Sequence, residues 1–292
     1  MSETHTIFKS IGVVGAGQMG SGIAQVLATY GLSVVVHDLN ETVLSKAQAS
    51  MEKSISKLIE KGKIRETTSV ILGRIKFSSS LEDLAKVELA IEAASENKEI
   101  KKIIFRKLDA LLAPTAVLAS NTSSISITEL AAATKRPKLV LGVHFMNPVP
   151  LMKLVEVVRG QLTDDSTVNR VATLLALIEK QTIFSKDYAG FIVNRILMPM
   201  LNEAMFTLYE GVGTAEDIDK GMKLGTNHPM GPLELADFIG LDTCLSILEV
   251  LYDGFKDPKY RPCPLLKNYV MSGLLGKKTG RGFYDYSQKA GV

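Results

Sequence analysis

Through the first two-thirds of the chain, short runs of β-branched and other apolar residues alternate with stretches whose apolar positions recur every three or four residues. The first pattern is that of buried strands and the second that of amphipathic helices. Strands are predicted at 11–14, 33–36, 75–77, 89–91, 117–119, 140–143, 154–157 and 182–185. Helices are predicted at 19–29, 42–62, 99–112 and 166–180. In the long second helix the apolar positions Leu44, Ala47, Met51, Ile55 and Leu58 keep a helical spacing, and Asn40 is placed to cap it. Strand, helix, strand, repeated, predicts an α/β fold: a doubly wound, largely parallel sheet covered on both faces.

The rhythm changes near residues 186–190. From 191 to 208 the period is helical, with polar Asn194, Arg195, Asn202 and Glu203 interrupting the apolar positions and Pro199 expected to kink or end the helix. Segments 215–224, 232–238 and 243–252 are also helical in pattern, with no convincing strand. These patterns predict two domains: 1–187, carrying the sheet, and 188–292, all helical. With no repeat and no low-complexity linker, the two are expected to pack together.

Composition narrows the possibilities without naming a function. The 292 residues are 46% hydrophobic and 22% charged, an ordinary balance for a soluble globular protein. The charge sum, 34 − 31 = +3, is too small to make nucleic acid the leading partner. Two cysteines, Cys244 and Cys263, build neither a disulfide framework nor a Cys-rich zinc site, so no metal is expected. The N-terminal residues lack the basic flank and apolar stretch of a secretory signal, and no apolar run is long enough for a membrane span. A cytoplasmic, reducing location is the expectation.

The chemistry begins at Gly15-Ala-Gly17-Gln18-Met19-Gly20, a G-x-G-x-x-G stretch that follows a predicted strand and opens a predicted helix. In that context it reads as a dinucleotide fingerprint. The glycines serve a tight turn, close approach of backbone to a pyrophosphate, and close helix packing, and the helix N-terminus faces the phosphates. Asp38 ends the second strand, 38 − 20 = 18 residues after the third glycine, where a carboxylate accepts from a ribose 2′-hydroxyl. It would repel a 2′-phosphate, and neither Leu39 nor Asn40 offers a cation to hold one, so NAD is favoured over NADP. FAD shares the fingerprint and stays open on the motif alone.

Of four histidines, His5 lies in a terminal tail and His37 directly precedes Asp38. His144 ends a strand, where the open edge of a parallel sheet faces its ligands. It stands in Gly142-Val-His144-Phe-Met-Asn147-Pro148-Val-Pro150, whose prolines are expected to extend the loop. Glu156 interrupts the apolar strand Leu154–Val158 and must be paired or protonated if buried. Pairing with His144 would fix the ring tautomer, as a general base requires; a satisfied core histidine beside an unrelated edge-strand glutamate is the alternative.

Other groups read two ways. Ser120-Asn-Thr-Ser123-Ser124 either donates to a ligand or caps a helix starting near Ser126, and Asn194 bonds either a ligand or backbone. Lys46, Lys53, Lys57 and Lys61 form either a solvated stripe or a polyphosphate contact, and the Gly276–Gly282 stretch is either a phosphate loop or a turn.

Taken together, the ordered motifs resemble the 3-hydroxyacyl-CoA dehydrogenase family, from about Ile11 to Tyr286. The landmarks are Gly15–Gly20, Ala119–Ser124, Gly142–Pro150 with Met152–Glu156, Gly190–Arg195, Asn227–Pro232 and Gly276–Tyr286. The resemblance implies a Rossmann-type domain followed by a helical domain for substrate and dimerisation, and NAD(H)-dependent interconversion of (S)-3-hydroxyacyl-CoA and 3-oxoacyl-CoA. It implies His144 as base with Glu156 as its carboxylate, and Ser123 and Asn194 beside the substrate oxygens. Glu96, Lys101, Asn147 and Lys278 would line the nicotinamide nucleotide site, and Ser54 and Lys61 would lie near coenzyme A. A homodimer is implied as well. Ala189 and Met146 stand where proline and phenylalanine are common in the family; neither change removes a functional group. Two other readings stay open: a dehydrogenase of a free, gulonate-type hydroxy acid, and a non-catalytic nucleotide-sensing relative, against which a buried ion pair in a crevice argues.

Overall fold

In the computed structural model, which describes residues 8–287, the apolar runs of the first part pair into one eight-stranded sheet. His5 lies outside the described residues. The strands are β1 (Ser10–Val14), β2 (Ser33–His37), β3 (Ile75–Ser78), β4 (Leu89–Glu92), β5 (Val117–Ser120), β6 (Val140–Phe145), β7 (Leu154–Arg159) and β8 (Gln181–Lys186). Their order is β3-β2-β1-β4-β5-β6-β7-β8, and every neighbouring pair is parallel except β6–β7. The chain winds outward from β1 to β3 and returns to β4 on the other side of β1. That reversal opens a crevice at the carboxyl ends of β1 and β4.

Helices α1 (Gln18–Thr29), α2 (Glu41–Glu60), α3 (Thr68–Leu72), α4 (Lys98–Leu111), α5 (Ile127–Ala131) and α6 (Asp165–Leu177) complete this unit, which ends at Asp187. Strand residues alternate between two faces. Ile11, Val13, Val34, Val36, Leu89, Ile91, Val117, Ala119, Leu141, Val143, Val155 and Val157 join α1, α2 and α6 in one apolar core. The intervening positions face the other way. Register pairs Glu92 with Ser120, Ser120 with Gly142, and His144 with Glu156, so these polar groups share one face near the carboxyl edge. Asn40 caps α2 as expected, its Oδ1 accepting from the N–H of Thr42 at 2.9 Å.

The second unit begins at Tyr188 and holds α7 (Val193–Tyr209), α8 (Ala215–Gly225), α9 (Pro232–Ile239), α10 (Leu241–Phe255) and α11 (Pro264–Met271). Met198, Leu201, Met205, Leu233, Leu241, Cys244, Leu248, Leu251 and Leu266 form its core. Two expectations are corrected. Of the two outcomes expected at Pro199, a kink or an end, the end is overturned, for α7 runs through it to Tyr209; the buried Met198, Leu201 and Met205 on either side outweigh one missing backbone donor. The loop after His144 is not extended. It closes into a turn in which the N–H groups of Leu151 and Met152 both donate to the Pro148 carbonyl at 3.0 Å, because the backbone angle that proline enforces suits turns as well as extended chain. The short helices α3 and α11 have no counterpart among the predicted elements. Among the described residues no helix is long and apolar enough to cross a membrane.

Candidate active site

The turn from β1 into α1 is built by its glycines. Gly15 has φ +103°, a conformation that side chains with a Cβ rarely adopt, and a Cβ on Gly20 would lie 1.9 Å from the Gly15 carbonyl oxygen. A Cβ on Gly17 would meet nothing within 4 Å, so its backbone borders open space at the N-terminus of α1. No acidic side chain sits in the first turn of that helix, leaving its N–H groups and dipole available to an anion. Met19 is half-buried and packs against the apolar core.

Asp38 stands beside this turn. Its Oδ2 accepts from the N–H of Ala16 at 2.9 Å and its Oδ1 from the N–H of Asn40 at 3.0 Å. Two of the four lone-pair sites on the carboxylate are thereby used and its orientation is fixed, with capacity remaining for a ribose diol. Across the turn, Gln18 donates from Nε2 to Asn147 Oδ1 at 3.1 Å, tying the glycine turn to the loop that follows β6. The open glycine backbone, the unopposed helix N-terminus and the anchored carboxylate fit the pyrophosphate and ribose of NAD.

At the end of β6, His144 is 7% exposed and its Nδ1 lies 2.7 Å from Oε2 of Glu156, which is fully buried. β7 is an interior strand, flanked by β6 and β8, so Glu156 is not an edge-strand residue. The pair has the geometry of a hydrogen-bonded imidazole and carboxylate, with Nδ1 as donor, which fixes the ring tautomer.

Ser123 lies in the segment after β5. Glu96 Oε1 accepts from the Ser123 N–H at 2.8 Å and from the hydroxyls of Thr122, Ser123 (3.3 Å) and Ser124 (3.1 Å). Burial pushes the Glu96 carboxyl up, but Lys101 and these hydrogen bonds outweigh it and hold the group below the ordinary carboxylate range. Capping of α5 falls to Ser126 and Asp187, not to Ser123: Ser126 Oγ accepts from the Glu129 N–H, and Asp187 accepts from the N–H groups of Ile127 and Thr128. Lys101 is buried, with Nζ 2.7 Å from both oxygens of Glu92 and 3.4 Å from Glu96. Glu92 was missing from the sequence-derived site. Its signal is the same as that of Glu156, a carboxylate inside an otherwise apolar strand, here at the last position of Leu89-Ala-Ile-Glu92.

Not every expected residue joins this group. Ser54 lines a cavity of about 440 Å³ between α1, α2 and the Pro148–Pro150 turn that also takes in Ala16, Gly17, Gln18 and Asn147 at the glycine turn, with Lys46, Ser50 and Gln25 on its wall. The Gln25 Nε2 there is buried without a hydrogen-bond partner. Lys61 sits just past the end of α2, exposed, and does not line that cavity. Lys53 and Lys57 are exposed on the side of α2 opposite its buried residues, whereas Lys46, also exposed, reaches the cavity. Asn194 and Lys278 belong to the second unit. Asn194 is buried on α7, and Lys278 is ion-paired with Asp242.

Comparison with known proteins gives the family. The family model described as 3-hydroxyacyl-CoA dehydrogenase, NAD binding domain, matches residues 10–188, and that of the 3-hydroxyacyl-CoA dehydrogenase C-terminal domain matches residues 190–286. The chain is 55% identical to 3-hydroxybutyryl-CoA dehydrogenase of Bradyrhizobium diazoefficiens, covering 96% of each chain. It is 40% identical to the mitochondrial hydroxyacyl-coenzyme A dehydrogenase of Sus scrofa, covering 98% of this chain and 93% of that one. The crystal structure of (S)-3-hydroxybutyryl-CoA dehydrogenase from Ralstonia eutropha superposes with a TM-score of 0.92 at 50% identity, covering 96% of this chain and all of that one. Two family models that between them span nearly the whole chain, an NAD-fitting glycine turn and an imidazole–carboxylate pair between β6 and β7 lead to one assignment: the chain belongs to the 3-hydroxyacyl-CoA dehydrogenase family.

Proposed function

We propose that His144 moves the proton in an NAD-dependent oxidoreduction of short-chain 3-hydroxyacyl-CoA, with 3-hydroxybutyryl-CoA as the foremost substrate. The protein is an NAD-dependent oxidoreductase of this family, and relatives at 50% and 55% identity bear the name 3-hydroxybutyryl-CoA dehydrogenase, which supports a four-carbon acyl group. The observation that carries the residue-level reading is the 2.7 Å contact between His144 Nδ1 and buried Glu156.

NAD, when bound, accepts a hydride from the carbon that bears the hydroxyl. The remaining work falls to the chain. His144 takes the hydroxyl proton at Nε2 as the alcohol becomes a ketone, and in the reverse direction it returns that proton to the oxygen. Glu156 offsets the positive charge that develops on the ring and keeps the Nδ1 proton in place. Ser123 orients the substrate oxygen, a contribution of positioning. Asp38 holds the ribose diol, and Gly15, Gly17 and Gly20 let backbone approach the pyrophosphate. Asn194, Lys278, Ser54 and Lys61 are carried as contributors on family resemblance alone.

A homodimer is part of the proposal, supported by exposed apolar residues of the second unit such as Ile196, Tyr209 and Val212. A reducing, cytoplasmic setting is supported by two free, buried cysteines.

The deciding experiment is a steady-state assay of acetoacetyl-CoA with NADH and with NADPH, beside free acetoacetate and longer 3-oxoacyl-CoA thioesters. The reading expects turnover with NADH and acetoacetyl-CoA and loss of turnover with the free acid. Equal turnover of acetoacetate would move the assignment to a free hydroxy acid, and no turnover of any thioester would end it.

A further inference from the structure

Between His144 on β6 and Glu156 on β7 the chain leaves the sheet, and of residues 147–153 only Val149 is buried, with Pro150 half-buried. An exposed turn keeps one geometry only where something fastens it. Its own bonds, from the N–H groups of Leu151 and Met152 to the Pro148 carbonyl, close it. Val149 seats it on α1 at Gly22, where a Cβ would lie 2.9 Å from that of Val149. The third fastening is Lys180, whose Nζ donates to the Val149 carbonyl at 2.6 Å and to the Met152 carbonyl at 2.7 Å. One ammonium thus bridges both limbs of the turn.

The backbone that carries this ammonium is itself tied down. Lys180 lies between the end of α6 and the start of β8, and its N–H donates to the Leu175 carbonyl at 2.8 Å. Glu179 before it takes φ +54°, and the N–H of Gln181 after it donates to the Lys153 carbonyl at 2.8 Å. Lys180 is therefore fixed to the helix on one side and to the entry of β7 on the other. Burial pushes its ammonium below the ordinary lysine range. A partly desolvated cation on two carbonyls makes charge-assisted bonds, stronger than those of a neutral donor.

At its near end the turn adjoins Asn147, whose Oδ1 accepts from Nε2 of Gln18, the first residue of α1, at 3.1 Å. A turn released from Lys180 would let Asn147 drift from the glycine turn. His144 and Glu156 would not follow, because they are opposed within the strand pairing of β6 and β7.

We infer that Lys180 is a positioning residue for the dinucleotide site: its ammonium clamps the 148–152 turn and, through it, sets Asn147 against the glycine turn. This rests on the reading of Asn147 as part of the nicotinamide nucleotide site.

NADH fluorescence titration and steady-state kinetics with acetoacetyl-CoA test it together. Lys180→Met keeps much of the aliphatic stem and removes the donors. NADH affinity should fall about tenfold, while kcat at saturating NADH changes less than about threefold. Lys180→Arg, which retains a cation with several donors, should bind NADH within about twofold of wild type. A merely structural lysine would lower Tm without this split and without rescue by Arg. Wild-type NADH affinity in Lys180→Met overturns the inference, and so does an equal loss in the Arg and Met variants.

The route is tested by repeating Lys180→Met in an Asn147→Ala background, where its further cost in NADH affinity should shrink to less than about twofold. A full tenfold loss in both backgrounds overturns the path through Asn147, and so does unchanged NADH affinity in Asn147→Ala alone. Because Lys180 is half-exposed, Lys180→Met should keep Tm within about 5 °C of wild type. If it does not fold, Lys180→Gln, with one amide donor group left, takes its place with an expected loss of about threefold, and unchanged affinity there ends the proposal. Failure of the wild type to bind NADH would sink the cofactor reading itself, a separate outcome.

Discussion

His144 and Glu156 are directly opposed across the one antiparallel pair in the sheet, β6 against β7. Side chains at opposed positions leave the sheet on the same face, a few ångströms apart, so the 2.7 Å contact is set by strand register and not by a loop. β7 carries β8 on its far side, which keeps Glu156 fully buried and the pairing rigid. The reversal of direction at β7 has a functional consequence. A parallel β7 would be reached through a crossover of a dozen or more residues, whereas the short Pro148–Leu151 turn brings the carboxylate back twelve positions after the imidazole.

Replacing His144 by Gln keeps a polar side chain of similar size but removes the group that exchanges a proton near neutral pH. With acetoacetyl-CoA, kcat should fall at least about 100-fold, the usual scale of general acid–base catalysis. NADH affinity by fluorescence titration should stay within about twofold, because the imidazole acts on the substrate oxygen and not on the dinucleotide. Turnover at the wild-type level would remove His144 from the chemistry.

Glu156→Gln tests the partner. An amide presents a donor as readily as an acceptor, so the ring loses both the anion that balances its developing charge and the bond that fixes its tautomer. In a comparable carboxylate-to-amide change at an imidazole, kcat drops by about 10⁴. A fall of at least about tenfold is expected here, in kcat more than in KM. If kcat is preserved and only Tm drops, the carboxylate is a packing element and nothing more.

Asp38→Ala addresses cofactor choice. The variant loses both the acceptor for the ribose diol and the anchor for the Ala16 N–H. The KM for NADH should rise about tenfold while NADPH, no longer repelled, gains relative to it. The ratio of kcat/KM values for the two cofactors is the measurement. An unchanged ratio would falsify the ribose role.

Much of this was readable from residues alone, for reasons that are local. β-branched runs such as Ser33–His37 have few alternatives to a buried strand, and Gly15–Gly20 encodes a backbone path that other residues cannot follow. Glu156 stood out because an ionisable group in an apolar strand demands a partner. Glu92 sends the same signal, but its partner lies on the next helix at Lys101, and no sequence period links the end of a strand to the first turns of a helix that follows it. The same limit hid the turn at Pro148–Leu151 and the passage of α7 through Pro199. In each case long-range packing decided the backbone state, at Pro199 against the local cost of a proline inside a helix. The different settings of Ser54 and Lys61 are likewise tertiary: Ser54 meets a cavity wall, while Lys61, just past the end of α2, is exposed.

Stability of the helical unit depends on a buried carboxylate of its own. Asp219 is 2% exposed and accepts from the N–H groups of Leu233 and Glu234 at the start of α9, and from the Tyr284 hydroxyl at 2.8 Å. Tyr284→Phe removes one of three donors and leaves that oxygen short, at an expected cost of about 1–3 kcal/mol in denaturant unfolding. The same change has a signature in alkali. Burial, together with Asp219, pushes the Tyr284 phenol up, as burial and neighbouring carboxylates do for Tyr286; Tyr30 is pushed up to about 12 by burial and Glu179. In the unfolded chain these phenols lose their protons at about pH 10, while the folded chain retains them. The folded state then binds more protons than the unfolded one, so stability is full below that pH and declines as the pH rises beyond it. Tyr284→Phe should start lower at pH 8 and fall less steeply between pH 9.5 and about 11, measured as the midpoint of urea unfolding at each pH. Parallel curves for variant and wild type would mean that the Tyr284 proton is not held by Asp219.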